Sequence, residues 1–564
     1  MKTVILDFLR SHRRLTYAMV MILCVIYLLP IVFRGFDVCD TGYYLTFYRY
    51  IFSDPNAVEY NFMYYLSGLV GGGIAALFPS LTLAGWRLAG VALVMLSQLT
   101  VTLMLRRTVP FRSLLVANMV MTAALAGLAL VVNSDLIAIL LYCVVLTLIF
   151  KGLTENKTWM LALAGVVMGV NIFARLPNVT ALIFALTPFL YNSHEQWRQS
   201  LRQASLVIGG AVAGVAAMLI LMAVLGHLDV YIANFKELMT IATDGNAGSS
   251  HSLLAIMKTF GEFYYKMIIY STVLGLIIFL FNKTYGARLH SAFKVVIIAV
   301  LLLLIPLIMQ YTRVLDAVWM LSLWGCLWVW LRSRDNRPVR LAAGLGVAMM
   351  LLFPLGSDGA YNNGAIIALI ALPVAMTAWL RRGRWLLLVA WFTVAVFHMS
   401  RVGAYFDGGM LWKKTAKIET AFTGNVCTLP IRADITNECL QAMKTHGVAS
   451  GDTMMVYGSA PMLNYLTDTK PAIGCSWPEL LPIAALSQRL MGATTAPPRF
   501  ILRQHFITIG KDWTEPMLDW RNHYEKHNSF MKDEKLAILN DFIEKINYAV
   551  VWENDYFTLY ERPK

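Results

Sequence analysis

The chain has 564 residues, of which 58% are hydrophobic and only 14% charged, with a mean hydropathy of +0.60. A soluble domain carries about 25% charged residues, so the apolar excess excludes an ordinary water-soluble globule and calls for lipid. The net charge of +14 does not signal a nucleic-acid partner, because Lys and Arg fall between apolar runs, where they set membrane orientation.

In chain order, Lys2, Arg10, Arg13 and Arg14 precede an apolar run over 15–33 that lacks a small-residue cleavage site, and it reads as a retained first span. Further runs of spanning length fall near 81–105, 112–132, 134–150, 157–174, 177–191, 203–225, 264–282, 293–311, 314–331, 339–355, 364–380 and 385–402. That predicts an α-helical polytopic membrane protein with about thirteen transmembrane helices in residues 1–402. A cytoplasmic N-terminus places the basic clusters Arg106/Arg107/Arg112, Arg332/Arg334/Arg337/Arg340 and Arg381/Arg382/Arg384 on the cytosolic side. The odd span count then puts everything after residue 402 outside, which in a bacterial inner membrane means the periplasm.

The segment 60–79 is apolar, yet counting it as a span would invert every later loop against the charge rule. Its tyrosines and Gly71-Gly72-Gly73 suit a surface or re-entrant helix, so 35–80 reads as a long structured outer loop, and 226–263 as a second. From 403 to 564 the texture changes to a small α/β extracytoplasmic domain: strands near 454–457, 500–502, 548–552 and 556–560 alternate with helical patterns near 461–467, 478–491 and 531–546. Cys427 and Cys439 fall in that oxidising compartment, where a disulfide is permitted.

No Walker A loop, HExxH, GxSxG, GxGxxG or Cys/His metal cluster occurs, so the chemistry falls to carboxylates and arginines. Asp37 and Asp40 stand just beyond the first span, where a carboxylate can take a proton from an acceptor hydroxyl or hold a divalent cation such as Mg or Mn, though nothing in the sequence requires the metal. Arg175, at a span boundary before Pro177, needs a partner to offset its burial and is the first choice for binding an anionic leaving group. Arg313, Arg401 and Lys236 are weaker candidates for the same task. Tyr43 and Tyr44, with Tyr48 and Trp86, suit an aromatic belt at the membrane boundary better than sugar stacking. His251 and the turn bearing Ser357 and Asp358 complete the polar groups on that face that could bind sugar or acceptor.

The order of these elements resembles the GT-C superfamily of membrane glycosyltransferases, particularly its protein mannosyltransferase, aminoarabinose transferase and oligosaccharyltransferase branches. The resemblance rests on Asp40-Thr41-Gly42-Tyr43, then Asn61 to Leu66, then Phe78-Pro79-Ser80 with Trp86-Arg87-Leu88 and the terminal Arg106-Arg107. Thr41 stands where many members carry Glu, which leaves Asp40 as the expected general base with Asp37 assisting. The resemblance implies transfer of a sugar from a polyprenyl-phosphate or diphosphate donor, such as an undecaprenyl carrier, to a protein, lipid or glycan acceptor on the outer face, with inversion. A secondary transporter or lipid-linked-sugar flippase would also have about a dozen spans, but it would place its ionisable residues near the bilayer midplane.

Overall fold

The computed structural model describes residues 11–125, 130–243, 314–355, 368–380, 410–505 and 533–563, with Asp407 and single positions between 257 and 276. The first helix, α1 (Arg13–Val32), exposes Leu15, Met19, Ile22, Leu23 and Ile26 and buries Cys24, Leu28, Ile31 and Val32. An apolar face left bare of protein at helical spacing is one that lipid covers. A short helix α2 (Asp40–Tyr50), a 3-10 segment Pro55–Tyr64 and α3 (Tyr65–Leu77) follow. With 13 residues, α3 rises only about 20 Å and is too short to cross the bilayer. The bundle continues through α4 (Leu83–Leu105), α5 (Phe111–Leu125), α6 (Ser134–Thr154) and α7 (Thr158–Asn171). After a second 3-10 segment come α8 (Thr187–Tyr191), α9 (Trp197–Val224), α10 (Leu228–Thr243), α11 (Val314–Arg332), α12 (Arg337–Leu352) and α13 (Ala368–Trp379).

Among the described residues four helices are long and apolar enough to cross a membrane, and five shorter apolar helices accompany them. The runs expected at 293–311 and 385–402, and the domain boundary at 402/403, lie outside the described residues. Two expectations change. The run 177–191 is not one α-helix but a 3-10 segment, Leu176–Leu186, followed by the five-residue α8. Pro188 has no N–H for the Phe184 carbonyl, which takes the Thr187 hydroxyl instead (2.6 Å). The loop expected over 226–263 begins as α10, because His227, Tyr231 and Asn234 recur at helical spacing and are all buried.

Helices α7 and α9 pack backbone to backbone. A Cβ on Gly165 would lie 2.0 Å from the Val207 carbonyl oxygen, and Gly169, Gly210 and Gly214 are equally tight, the small-residue contact that lets membrane helices approach closely. Polar side chains tie α1, α4 and α5 together: Tyr17 donates to Thr102 (3.0 Å), Asn118 to Thr102 (3.2 Å) and Gln98 to Thr122 (3.1 Å).

Beyond residue 410 the chain forms a small antiparallel pair, β1 (Ala416–Lys417) and β2 (Cys427–Thr428), then α14 (Pro430–Thr445). A five-stranded sheet follows from β3 (Thr453–Tyr457), β4 (Lys470–Pro471), β5 (Phe500–Gln504), β6 (Ala549–Glu553) and β7 (Phe557–Glu561), in the order β4-β3-β5-β7-β6. β3 runs parallel to β4 and β5, and β7 antiparallel to β5 and β6. Helix α15 (Met462–Thr467) links β3 to β4, α16 (Ile483–Ala493) precedes β5, and α17 (Asp533–Ile546) precedes β6. Alternation splits the buried side chains between two faces. Met454, Val456 and Leu502 join the main core with Cys439 and Leu463, whereas Met455, Tyr457 and Ile501 pack against Leu486, Leu539 and Phe542. Every cysteine is free and buried, so the permitted Cys427–Cys439 disulfide is not formed.

Candidate active site

The segment 33–39, between α1 and α2, is clamped from two sides. Arg87, fully buried on α4, donates to the carbonyls of Val32 (3.0 Å) and Gly35 (2.8 Å). It thereby satisfies the end of α1, where carbonyls lack helical partners and a cation is favoured. From the other side comes Asp407, also buried, which accepts from the Phe36 N–H (2.8 Å) and the Thr428 hydroxyl (2.6 Å) and pairs with Arg432 and Lys414. Gly35 N–H donates to the Cys427 carbonyl (2.8 Å), and Cys427 N–H to the Phe33 carbonyl (2.9 Å), so β2 is tied to the loop by a single parallel bridge between Cys427 and Arg34.

Asp37 is 1% exposed. Its carboxylate accepts the Cys39 N–H (2.8 Å), the Thr41 N–H (2.7 Å) and the Thr41 hydroxyl (2.7 Å). Burial pushes its pKa up, against the pull of these donors and of Arg87. Asp37 therefore holds the start of α2. Asp40 opens that helix in its first turn and is half-buried, with the Cys39 thiol 3.8 Å from its carboxylate. Both Asp37 oxygens are thus taken by hydrogen-bond donors of the loop and the start of α2. No group of three or more His, Cys, Asp or Glu able to hold a metal ion exists among the described residues.

Gly42 follows because α2 crosses α15 there: a Cβ at this position would lie 2.0 Å from the Met462 nitrogen, a backbone atom that cannot yield. One turn beyond Asp40, Tyr43 and Tyr44 enter a packed aromatic cluster. Ring centroids of Tyr43 lie 5.8 Å from Tyr44, 6.5 Å from Tyr64 and 6.3 Å from Trp477, and Tyr48 lies 5.4 Å from Trp86. The belt expected of these rings is not present, since Tyr43, Tyr48 and Trp86 are buried inside the protein. Burial holds the Tyr43 and Tyr44 phenols well above their usual pKa, so both stay neutral.

Tyr44 carries α2 to the cationic group. Its hydroxyl lies 2.6 Å from the Ser134 hydroxyl at the start of α6, which Asn133 caps by accepting from the Leu136 N–H (2.9 Å). The next residue, Asp135, has its Oδ1 3.1 Å from Nη1 of Arg175, whose guanidinium also stacks 4.7 Å above the Phe353 ring. Arg175 is 5% exposed, and its Nη1 has no aligned hydrogen-bond acceptor among the described residues despite the nearby charge.

Of the expected site residues, Asp37, Asp40, Tyr43, Tyr44 and Arg175 thus fall in one connected region. Lys236 is exposed on α10, where its neighbour Glu237 pairs with Arg489 (2.5 Å). His251, Arg313, Ser357, Asp358 and Arg401 lie outside the described residues. Sequence reading missed Asp135, although Asn133-Ser134-Asp135 carries a helix-start signature. It also missed Trp477 and Glu479, which no local pattern connects to residue 43.

No protein-family model matches the sequence, and no curated protein does. Among solved structures, the chain is similar to ArnT from Cupriavidus metallidurans bound to undecaprenyl phosphate, at 12% identity over 98% of each chain with a TM-score of 0.41. It is also similar to the Archaeoglobus fulgidus oligosaccharyltransferase tethered with an acceptor peptide, at 10% identity over 86% of this chain and 69% of that one, with a TM-score of 0.44. At these TM-scores the reading of the site rests on this chain's own residues.

Proposed function

We propose that the chain is a membrane glycosyltransferase that moves a sugar from a polyprenyl-phosphate or diphosphate donor to a hydroxyl-bearing or amide-bearing acceptor at the outer face. The observation that carries the reading is the buried Arg175 guanidinium, paired with Asp135 and joined through Ser134 and Tyr44 to the helix that begins at Asp40. An anion-binding group and a half-buried carboxylate on one scaffold are what displacement of a lipid phosphate requires.

Asp40 accepts the acceptor's proton as the acceptor atom bonds to the anomeric carbon. The bond from that carbon to the phosphate oxygen breaks with its electron pair, and the charge gained by the phosphate is met by Arg175, with the neutral Tyr44 phenol beside it. A single displacement inverts the anomeric configuration. Asp37 acts by holding α2 and touches no reacting atom.

The test is transfer by purified protein in proteoliposomes supplied with a panel of radiolabelled polyprenyl-phosphate sugars. Asp40→Asn, still folded, is expected to reduce transfer by about 10²–10⁴-fold. Movement of lipid or solute across the bilayer without transfer would replace the reading with a transporter or flippase. Transfer with retained configuration would refute the single displacement.

A further inference from the structure

The hairpin between α11 and α12 carries Arg332, Arg334, Arg337 and Arg340, all exposed, with Asp335 as the one acid among them. None of the five forms an ion pair among the described residues. In the basic cluster at the ends of α4 and α6, by contrast, Arg107 and Lys157 share Glu155 at 3.9 and 2.6 Å.

Orientation in the membrane needs only positive charge in the loop, which leaves the position of two of these charges unexplained. Arg337 and Arg340 stand in the first turn of α12, a turn without an acidic residue. They face the positive end of the helix dipole, which opposes a cation and favours an anion beside it. The backbone itself offers an anion little. Pro338 has no N–H, the Val339 N–H goes to the Asn336 side chain (3.2 Å) and the Arg340 N–H to the Asn336 carbonyl (3.0 Å). The binding capacity of the hairpin therefore lies in its side chains.

Two of the guanidinium groups are held by indoles. Arg340 of α12 lies 4.9 Å over the Trp330 ring of α11, and Arg332 lies 4.8 Å over Trp328, one turn back on its own helix. The Trp330 ring rests on α12 at Gly344, where a Cβ would come within 3.6 Å of its Nε1. A guanidinium held over a ring keeps its N–H edge for a paired contact with phosphate oxygens. Trp324, Trp328 and Leu331 recur at helical spacing on α11 and are exposed, and tryptophan settles at the headgroup level of a bilayer.

We propose that the α11–α12 hairpin is a binding site for anionic phospholipid, in which Arg337 and Arg340 take the headgroup phosphate and Trp330 holds Arg340 in place. Charge and depth select this partner. The arginines have no carboxylate bound to them among the described residues, and the indoles beside them set them among lipid headgroups. The inference is independent of the transferase reading.

The experiment is native mass spectrometry of the full chain, purified in a neutral detergent and given equal amounts of phosphatidylglycerol and phosphatidylcholine. The parent is expected to bind phosphatidylglycerol at least about 25-fold more tightly, and Arg337→Gln with Arg340→Gln to lose that preference, at about fivefold for each arginine. Trp330→Leu keeps the charge and should lose about two- to fivefold. Arg340→Lys, which keeps the charge but not the planar N–H edge, should also bind more weakly, and it decides the matter if the double variant fails to fold. Arg106→Gln with Arg107→Gln should leave the preference intact. An equal loss in that pair means diffuse surface charge and overturns the proposal, as does a parent without preference. Displacement of the bound lipid by excess inorganic phosphate would mark a free-anion site and overturn the lipid assignment. Binding that survives intact in both Trp330→Leu and Arg340→Lys overturns the role given to the stacked guanidinium.

Discussion

Replacing Asp37 by Asn separates holding the acidic loop from taking part in the chemistry. The native carboxylate accepts three hydrogen bonds, two from backbone N–H groups and one from a hydroxyl, all at 2.7–2.8 Å. An Asn in the same rotamer keeps one oxygen, which can still serve the Thr41 N–H and hydroxyl, but turns its NH2 toward the Cys39 N–H. Donor then faces donor inside a site that is 1% exposed, and a buried unsatisfied N–H costs about 1–3 kcal/mol. The remaining bonds lose their charge assistance, and Arg87 loses a nearby negative group, so the total is about 2–4 kcal/mol. Reversible SDS titration in mixed micelles, followed by near-ultraviolet circular dichroism, reads this loss directly. Transfer measured on the fraction that remains folded should fall far less than in Asp40→Asn, because α2 still forms. An Asp37→Asn chain as stable as its parent but without transfer would refute the positioning role and move Asp37 to the reacting centre.

Arg87→Met should cost about 3–5 kcal/mol, since it strips the Val32 and Gly35 carbonyls of their donor and leaves Asp37 without its neighbouring cation; the same titration checks it, and a neutral result would mean that water replaces the guanidinium. Gly165→Leu should abolish the monodisperse peak in size-exclusion chromatography, because even its Cβ would overlap the Val207 carbonyl oxygen at 2.0 Å, whereas Gly209→Leu, with nothing within 4 Å, should be tolerated. Lys414 gives a pH dependence of definite sign. Burial lowers its pKa from 10.5 to about 8 despite Asp407, so between these values the unfolded chain binds the extra proton and stability rises with pH, by about 3 kcal/mol in all. Lys414→Met should flatten that rise in unfolding measured from about pH 7 to about pH 10, and an unchanged slope would reject the assignment.

Much of the fold is local and could be read from the chain. The apolar run 81–105 became α4, 134–150 became α6 with a short extension, and the strands near 454–457 and 500–502 became β3 and β5, because span length and alternation act over a few residues. The same reasoning singled out Asp40 and Arg175, which the structure places in one connected region. Local patterns failed where a proline withdrew an N–H, as at Pro188, and where an amphipathic stretch such as α10 was too polar to register as a span.

The site itself was decided by contacts between distant residues. Phe36 bonds to Asp407 across 371 positions, Tyr44 to Ser134 across 90, and Arg87 to Gly35 across 52. Sequence by itself established the lipid-dependent helical class, the placement of most helices and strands, and a short roll of carboxylates and arginines. Only tertiary structure distinguished the aspartate enclosed by donors from the one left half-open, turned an expected belt into a buried cluster, and set Trp477 and Glu479 against it. A side chain's burial and partners depend on what the rest of the chain packs around it, and no residue's near neighbours in sequence contain that information.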